Sequence, residues 1–475
     1  MTSVHDDSYH IDESELGSES ETENKPDEEI DHCRETKYLV FDSSLKKLFS
    51  RCLECGVAVI DVSTTTRGSL LTAKMTCSNM HDVVWHSQPL LNRMALGNLL
   101  LSAAILFSGN TFQSFSDCFS FLKLQCFQKT TYMTIQDKYL IPVINNAWSA
   151  ESQRVKQSLR QKEEVRLSGD GRCDSPGYSA KYSLYTFMDQ STEKVVDMSL
   201  TQVTEVANSN AMEKAGFIKT LDRIIDDNIP VSTVATDRHV QIGATMKKRY
   251  PTISHQYDVW HLSKSIKKKL AEFGKKKKYS SLLPWIQSVS NHLWWSAATC
   301  EGNQQSLRER WTSIVHHVVN VHSWSGNQSF HECNHPEIPD TSNIDWLEIG
   351  SPAHEALKEV VFDKRLLDAI GRLNQFCHTG SLEVFHSLLT KYTPKRQHFS
   401  YKGMVARSQL AALDHNVHCD RNYAIVKTGE RQGRLQYKIV FPKSRNSWVA
   451  KPVKEKKTYP YVDDLMSSLV EQRKW

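Results

Sequence analysis

The stretch of residues 234–261 restricts the possible folds more than any other part of the chain. A β-branched run ends at Asp237, a basic amphipathic segment follows, and a second apolar run comes after Pro251. Upstream lie three further strand-like runs and an amphipathic stretch over residues 210–227. Three strands in succession followed by helix–strand–helix–strand are typical of a mixed sheet with helices packed on it. The pattern therefore predicts an α/β fold class.

The predicted core elements are short and closely spaced. Strands are expected at Val165–Ser168, Tyr182–Met188, Lys194–Val203, Val231–Ala235 and Ile253–Tyr257, and helices over 210–227 and Val240–Arg249. Composition and periodicity divide the chain into six regions. The first three are a disordered acidic tail (1–35), a β-rich zinc-ribbon-like Cys/His module (36–90) and a helical region (91–150). The last three are the first part of the mixed-sheet core (160–262), an all-helical insertion (263–375) and the completion of the core with short strands and a basic C-terminus (376–475). The 91–150 region is predicted to hold three helices, the third of them one continuous helix from Thr130 onward. It is interpreted either as a DNA-contacting helix-turn-helix or as an ordinary three-helix packing module.

Three acidic residues occupy positions that suit metal-ion chemistry. Asp170 follows the first predicted strand of the sheet, just before a predicted turn at Gly171. Asp237 ends the fourth strand, and Glu383 lies on an amphipathic helix. Carboxylates are the hard oxygen ligands that Mg²⁺ and Mn²⁺ require, and two such ions clamp an in-line displacement at phosphorus. These three acids are therefore the candidate catalytic and metal-binding residues. Three alternatives stay open: Asp174 as the first acid, Glu383 as a solvated helix residue, and Asp258 as an extra acid or a structural hydrogen-bond acceptor.

Charge is unevenly distributed along the chain. Residues 1–35 carry 13 acidic and two basic side chains, whereas residues 36–475 carry 57 basic and 41 acidic ones. A basic body indicates a polyanionic partner such as double-stranded DNA, although a merely solvated surface fits the charge equally well. The first thirty residues lack an apolar core, so we expect no secretory signal peptide and no membrane partner. A location in the nucleus or the cytosol follows, and the nucleus is the expected one for a protein that binds DNA.

A first cluster of cysteine and histidine residues predicts a structural zinc site. Cys52 and Cys55 form one ligand pair, Cys77 and His81 form a second, and an alternating segment with Gly68 in a turn separates them. Two ligand pairs at the ends of a β-hairpin supply the four soft or borderline ligands that tetrahedral Zn²⁺ needs. The alternative is a loop in which Cys77 is simply buried as a small hydrophobe.

Two further patterns lie in the predicted insertion. One is a possible second zinc site with the ligands His317, His322, Cys333 and His335. The alternative is that these are unrelated polar histidines. A basic run with interleaved aromatic residues favours contact with the DNA backbone, and the alternative is that its lysines are simply solvated. The run consists of Lys264, Lys267 and Lys268 on one helix face and Lys275, Lys276, Lys277 and Lys278 in a loop.

The acidic residues and their surroundings resemble those of the Mutator-like and Kolobok-like eukaryotic DNA transposases. The matching segments are LSGDG around Asp170, VATDRH around Asp237 and HTGSLEVFH around Glu383, separated by 67 and 146 residues. About twenty residues after the second acid stands Asp258-Val-Trp-His261, where Mutator-like enzymes commonly have Cys-x-x-His. We expect His261 on the last strand of the first part of the core. The resemblance covers roughly residues 90–420.

The resemblance implies a ribonuclease-H-like catalytic domain with a DDE triad and a helical insertion before the final glutamate. It also implies Mg²⁺-dependent cleavage and strand transfer at transposon ends, with a homodimer or higher oligomer on DNA. Two other interpretations remain. One is a domesticated transposase-derived protein that binds DNA or chromatin without catalysis, and the other is a zinc-bearing interaction module with a coincidental acid pattern.

Overall fold

The computed structural model describes residues 31–176, 179–336, 344–442 and 447–474. The tail predicted to be disordered lies outside these residues up to position 30. Within the described ranges, no helix combines the length and the apolarity needed to cross a bilayer.

The first described elements form a small β-rich module. Helix α1 (Asp42–Leu48) precedes an antiparallel sheet in the order β1 (Val59–Arg67), β2 (Leu70–Cys77) and β3 (Asp82–His86). Gly68 has a φ of +66° in the β1–β2 turn, a conformation that glycine adopts without steric cost. The predicted hairpin between the two ligand pairs is confirmed.

A helical region follows the module. A two-stranded ribbon, β4 (Leu90–Leu91) and β5 (Met94–Ala95), leads into α2 (Leu96–Phe107), α3 (Phe112–Leu122), α4 (Lys129–Ile135) and α5 (Ile141–Arg160). One helix was predicted where α4 and α5 stand, but a π-helical turn separates them. Pro142 lies in the first turn of α5 and has no N–H to donate, which accounts for the break in the hydrogen-bond pattern.

The central element is a five-stranded mixed sheet. Its strands are β6 (Val165–Cys173), β7 (Tyr182–Asp189), β8 (Val195–Gln202), β9 (Val231–Thr236) and β10 (Ser254–Tyr257). In space they lie in the order β10-β9-β6-β7-β8. Strand β7 is antiparallel to both β6 and β8, whereas β9 runs parallel to both β6 and β10. The predicted mixed sheet, with five strands in the predicted succession, is confirmed.

Helices cover both faces of this sheet. On one face α6 (Ser209–Asp226) packs on aromatic side chains of β7, and α7 (Val240–Arg249) contributes to the same core. On the other face α5, α14 (Gly380–Tyr392) and α15 (Tyr401–His418) form the largest hydrophobic core of the described chain. Successive residues of β7, such as Leu184 and Tyr185, point to opposite cores, as strand geometry requires.

The segment between β10 and α14 is mainly helical in its described residues. Its helices are α8 (Val259–Gly274), α9 (Ile286–Thr299), α10 (Gln304–Thr312), α11 (Ile314–His317), α12 (Pro352–Val361) and α13 (Lys364–Ile370), with 3₁₀ turns at Lys277–Leu282 and Gly371–Leu373. They enclose a hydrophobic core of their own. Of the four lysines predicted to form a loop, Lys275 and Lys276 do lie in the short connection after α8, whereas Lys277 and Lys278 lie in the first 3₁₀ turn.

Two local predictions around the acids were wrong. The strand carrying Asp170 does not end at Ser168, because pairing with β7 continues to Cys173 and places Gly171 inside the strand rather than in a turn. His261 lies not on a strand but in the first turn of α8, since the Asp258 carboxylate caps that helix by accepting a hydrogen bond from the Trp260 N–H at 2.6 Å.

The C-terminal prediction of short strands was only partly right. Strands β11 (Tyr437–Val440) and β12 (Val449–Pro452) pair, but the predicted strand at residues 423–428 forms only isolated bridges. Helix α15 and the final helix α16 (Pro460–Lys474) were missed. Helix α15 is buried on nearly all sides and its polar residues bond inside the core, so it lacks an amphipathic pattern.

Candidate functional site

Asp170 and Asp237 stand side by side on neighbouring parallel strands. Gly169 of β6 is in register with Thr236 of β9, and each aspartate is the next residue in its chain. Asp170 lies within β6, and Asp237 directly follows the last residue of β9. The two carboxylates therefore lie at the same end of these inner strands, which is called the acidic edge below.

Helix α14 brings Glu383 and His386 to the same edge. His386 Nδ1 lies 3.3 Å from Asp170 Oδ2. The guanidinium of Arg172 on β6 donates hydrogen bonds to the side chain and carbonyl of Thr393 at the end of α14, at 3.0 and 3.1 Å. These contacts fix α14 against the strand that carries Asp170.

His261 links the second and third acids. Its Nε2 atom lies 3.1 Å from Asp237 Oδ1 and 3.9 Å from Glu383 Oε1. The donor atoms of Asp237, Asp258 and His261 all lie within 4.8 Å of one another. Asp170 and Glu383 are not members of this tight group among the described residues, and the Glu383 side chain is 51% exposed.

The Asp258 carboxylate connects two helices that contribute residues to the site. Besides capping α8, it accepts hydrogen bonds from the backbone N–H and the hydroxyl of Thr379, which immediately precedes α14. Both residues are buried. Asp258 therefore couples the helix that carries His261 to the helix that carries Glu383, which corresponds to the structural alternative for this residue.

Asp174 takes part in a turn rather than in the acidic edge. It follows the last residue of β6, and its Oδ1 accepts hydrogen bonds from the backbone N–H groups of Lys181 and Tyr182, at 3.0 and 3.3 Å. Its carboxylate thus organises the connection between β6 and β7.

Glu213 and Tyr185 also belong to the site, and neither was identified from the sequence. A Cβ atom on Gly171 would lie 2.6 Å from Glu213 Cγ, so the glycine makes room for this α6 side chain beside β6. The Tyr185 hydroxyl is buried and has no hydrogen-bond partner within the described residues. No local motif marks either position, because each reaches the site only through the packing of α6 on β7.

Electrostatic repulsion at this edge is strong. Burial, followed by the negative charge of Asp170, raises the pKa of Asp237 to about 7, although His261 opposes the increase. Burial and the charges of Asp170 and Asp237 likewise raise the pKa of Glu213 to about 7. Clustered carboxylates with raised pKa values are typical of functional sites, because a bound cation or a proton must neutralise them.

Besides the Tyr185 hydroxyl, two further buried polar atoms at the site lack hydrogen-bond partners among the described residues. Asp237 Oδ1 has only its ion-pair contact with His261, without hydrogen-bond geometry, and His386 Nε2 is unpaired. Buried polar atoms normally have partners, so such atoms identify a place where a ligand, ion or water is expected.

No model of a known protein family matches this chain, and no curated protein matches it.

The basic residues lie on a surface that begins beside the acidic edge. Along α8, Trp260 is 40% exposed, stacks edge-on with His261 and carries the Lys264 ammonium 4.7 Å from its ring centroid. Lys268 follows one turn later and is exposed, and Lys267 is half-buried. The exposed residues Lys275, Lys276, Lys277 and Lys278 continue beyond the helix.

The predicted ligands of the first zinc site converge. Donor atoms of Cys52, Cys55, Cys77 and His81 all lie within 4.8 Å of one another, and the sulfurs of Cys55 and Cys77 are 3.8 Å apart. Backbone N–H groups of Cys55 and Glu54 lower the pKa of Cys52 to about 6, which favours the thiolate that binds metal. This Cys₃His group could hold a metal ion such as zinc.

The four predicted members of the second Cys/His cluster also converge. Donor atoms of His317, His322, Cys333 and His335 lie within 4.8 Å of one another, although 18 residues separate the first from the last. The group lies at the end of α11 and in the loop that follows it.

Proposed function

We propose that this protein is a DDE-type DNA transposase, with Asp170, Asp237 and Glu383 as the catalytic acids. The observation that carries the proposal is the meeting of residues from three distant segments around His261 and His386. Phosphodiester cleavage by this class of enzyme needs acids arranged in this way, two on adjacent strands and one on a helix.

The sheet supports a ribonuclease-H-like fold for this domain. Three antiparallel strands followed by two parallel ones, in the order β10-β9-β6-β7-β8, agree with the fold that the resemblance implies. The helices from α8 to α13 have their own core and stand in the chain before Glu383, which agrees with an insertion at that place. The resemblance to Mutator-like and Kolobok-like enzymes stays part of the proposal.

The donor set at the acidic edge suits a hard divalent cation. Carboxylate oxygens dominate it, and the buried Asp237 Oδ1 lacks a hydrogen bond. Asp170 and Asp237 would hold Mg²⁺ or Mn²⁺ together, and Glu383 would complete the set. When bound, such ions supply an activated water and stabilise the leaving oxygen.

The protein groups would position the reacting atoms. In the first reaction a water oxygen bonds to phosphorus and the bond to the 3′-oxygen breaks, leaving a 3′-hydroxyl and a 5′-phosphate. In strand transfer that hydroxyl attacks a phosphorus of target DNA and displaces its 3′-oxygen. His261 would keep Asp237 and Glu383 apart and oriented, and His386 would do the same for Asp170.

The exposed face of α8 would guide DNA to this site. Trp260, Lys264 and Lys268 extend outward from His261, so phosphates bound by the lysines would lead the strand toward the acids. We propose double-stranded DNA as the partner, a nuclear location, and a dimer or higher oligomer that joins two DNA ends.

A second candidate is a domesticated protein that binds DNA without cutting it. The half-exposed Glu383, which lies outside the tight group of donor atoms, favours this function. One experiment separates the two candidates. Purified protein is incubated with Mg²⁺ or Mn²⁺ and a plasmid carrying both genomic flanks of its own gene, and nicking and binding are measured in parallel.

The wild-type protein should nick this DNA, and Asp237→Asn should abolish nicking while sparing binding. Asp174→Asn is the matched control, because an asparagine oxygen still accepts the turn hydrogen bonds from residues 181 and 182. Binding without nicking by the wild type would favour the domesticated protein. Nicking that survives in Asp237→Asn would refute the assignment of the acids.

A further inference from the structure

We propose that His317, His322, Cys333 and His335 form a second, purely structural zinc site that closes the loop after α11. The inference is independent of DNA cleavage. It rests on which donor atom of each side chain faces the centre of the cluster and on the hydrogen bonds made by the other ring nitrogen of His322 and of His335.

Hydrogen bonds select the ligand atom of two histidines. His322 Nε2 lies 2.9 Å from Asn320 Oδ1, whereas its Nδ1 is buried without a hydrogen-bond partner in the described chain. His335 Nδ1 lies 2.8 Å from the carbonyl oxygen of Pro336, which leaves Nε2 as its ligand atom. A metal-bound histidine typically donates its other ring N–H to a carbonyl or carboxamide oxygen in this way.

The two remaining ligands face each other directly. Cys333 Sγ lies 3.6 Å from His317 Nδ1. The ring centroids of His317, His322 and His335 are 4.9–5.2 Å apart in edge-to-face pairs. Without an ion, one thiol and three imidazoles would have their polar atoms directed at one another rather than at water.

The ligand set selects the metal and its role. One thiolate and three imidazoles match the borderline-soft preference and tetrahedral geometry of Zn²⁺. Because the chain supplies four ligands, no coordination position is left for substrate, so the site is structural rather than catalytic.

The surroundings explain what the ion would stabilise. In its described residues the loop carries one β-bridge, between Ser323 and Glu332, and the Cys333 N–H donates to the His322 carbonyl at 2.9 Å. The Trp346 ring packs 5.8 Å from both His317 and His322, and Trp285 packs 5.5 Å from Trp346. An ion here would join the end of α11, the returning loop and this aromatic pair.

The test measures metal content in full-length protein that carries no histidine tag. Wild-type protein should hold about two zinc ions per chain, whereas Cys52→Ser and Cys333→Ser should each hold about one. His331→Ala is the matched control, since this exposed histidine lies in the same loop but outside the cluster, and it should hold about two. Unchanged zinc content in Cys333→Ser, or one ion in the wild type with none in Cys52→Ser, would overturn the proposal.

A second measurement does not require the loop to tolerate substitution. Cys52→Ser removes a ligand of the first Cys/His cluster, so the proposed second site is the one of the two clusters left with all four ligands. This variant is loaded with Co²⁺ in place of Zn²⁺. It should show the visible absorption bands of tetrahedral Co²⁺ together with a weak thiolate charge-transfer band, because a single sulfur is present. The absence of tetrahedral bands would overturn the proposal, whether or not the protein cleaves DNA.

Discussion

At the scale of single residues, Asp258 has the clearest structural role in the site. Its carboxylate accepts hydrogen bonds from one residue at the start of α8 and from another directly before α14. Replacing it with alanine leaves buried donors unsatisfied, so we expect Asp258→Ala to lower the free energy of unfolding by about 2–3 kcal/mol. It should also reduce nicking more than DNA binding, because Glu383 loses its fixed position.

Urea unfolding and the plasmid assay would check this expectation. Glu272→Ala, an exposed acid on the same helix, serves as the control and should change neither result appreciably. An Asp258→Ala protein with wild-type stability and wild-type nicking would show that the contact between the two helices is dispensable.

The burial of Asp237 and Glu213, together with the charge repulsion among Asp170, Asp237 and Glu213, predicts a pH dependence of stability. In the folded state the pKa values of Asp237 and Glu213 are raised to about 7, so between about pH 4 and pH 7 the folded chain binds more protons than the unfolded chain. The contribution of these two groups to the free energy of unfolding is therefore fully present below about pH 4, and it is lost as the pH rises to about 7 and the buried carboxylates ionise.

This dependence is measured by urea unfolding in magnesium-free buffer that retains zinc. Glu213→Gln should flatten the profile between pH 4 and 7, and added Mg²⁺ should raise stability at pH 8, where the carboxylates are ionised. An identical slope in the wild type and in Glu213→Gln would contradict the raised pKa of Glu213 in the folded state.

At the scale of elements, α8 connects the acidic edge to the basic surface. The double variant Lys264→Ala/Lys268→Ala should weaken DNA binding and reduce the slope of log affinity against log salt by about two. Lys219→Ala, an exposed lysine on α6 across the sheet, is the control and should leave the slope unchanged. Equal affinities for all three proteins over a salt titration would remove α8 from the DNA path.

Elements with a clear pattern could be predicted from the sequence, and buried polar ones could not. The predicted range of α7 matches the observed helix, and β9 extends only one residue beyond its prediction. In α15, by contrast, Arg407 donates to the carbonyls of Gly109 and Asn110, and Asn416 bonds to the backbone of Val195. Such partners come from distant segments, so nothing local distinguishes these buried polar residues from surface ones.

At the scale of the whole molecule, the candidate site is assembled from residues more than 200 positions apart. The sequence identified Asp170, Asp237 and Glu383 from local patterns and a family resemblance. It could not identify Glu213, Tyr185 or His386, because their contribution depends on how α6 and α14 pack on the sheet. The two Cys/His clusters were easier to predict, since their ligands lie in short stretches of chain.

The most direct test of the account is the location of Mn²⁺ by anomalous diffraction in crystals of the full-length protein. We predict an anomalous peak within about 2.1–2.2 Å of carboxylate oxygens of both Asp170 and Asp237, with Glu383 turned toward the same pocket. A peak bound by Asp237 and His261 without Asp170, or no peak at this edge of the sheet, would contradict a shared metal site and with it the proposed nuclease chemistry.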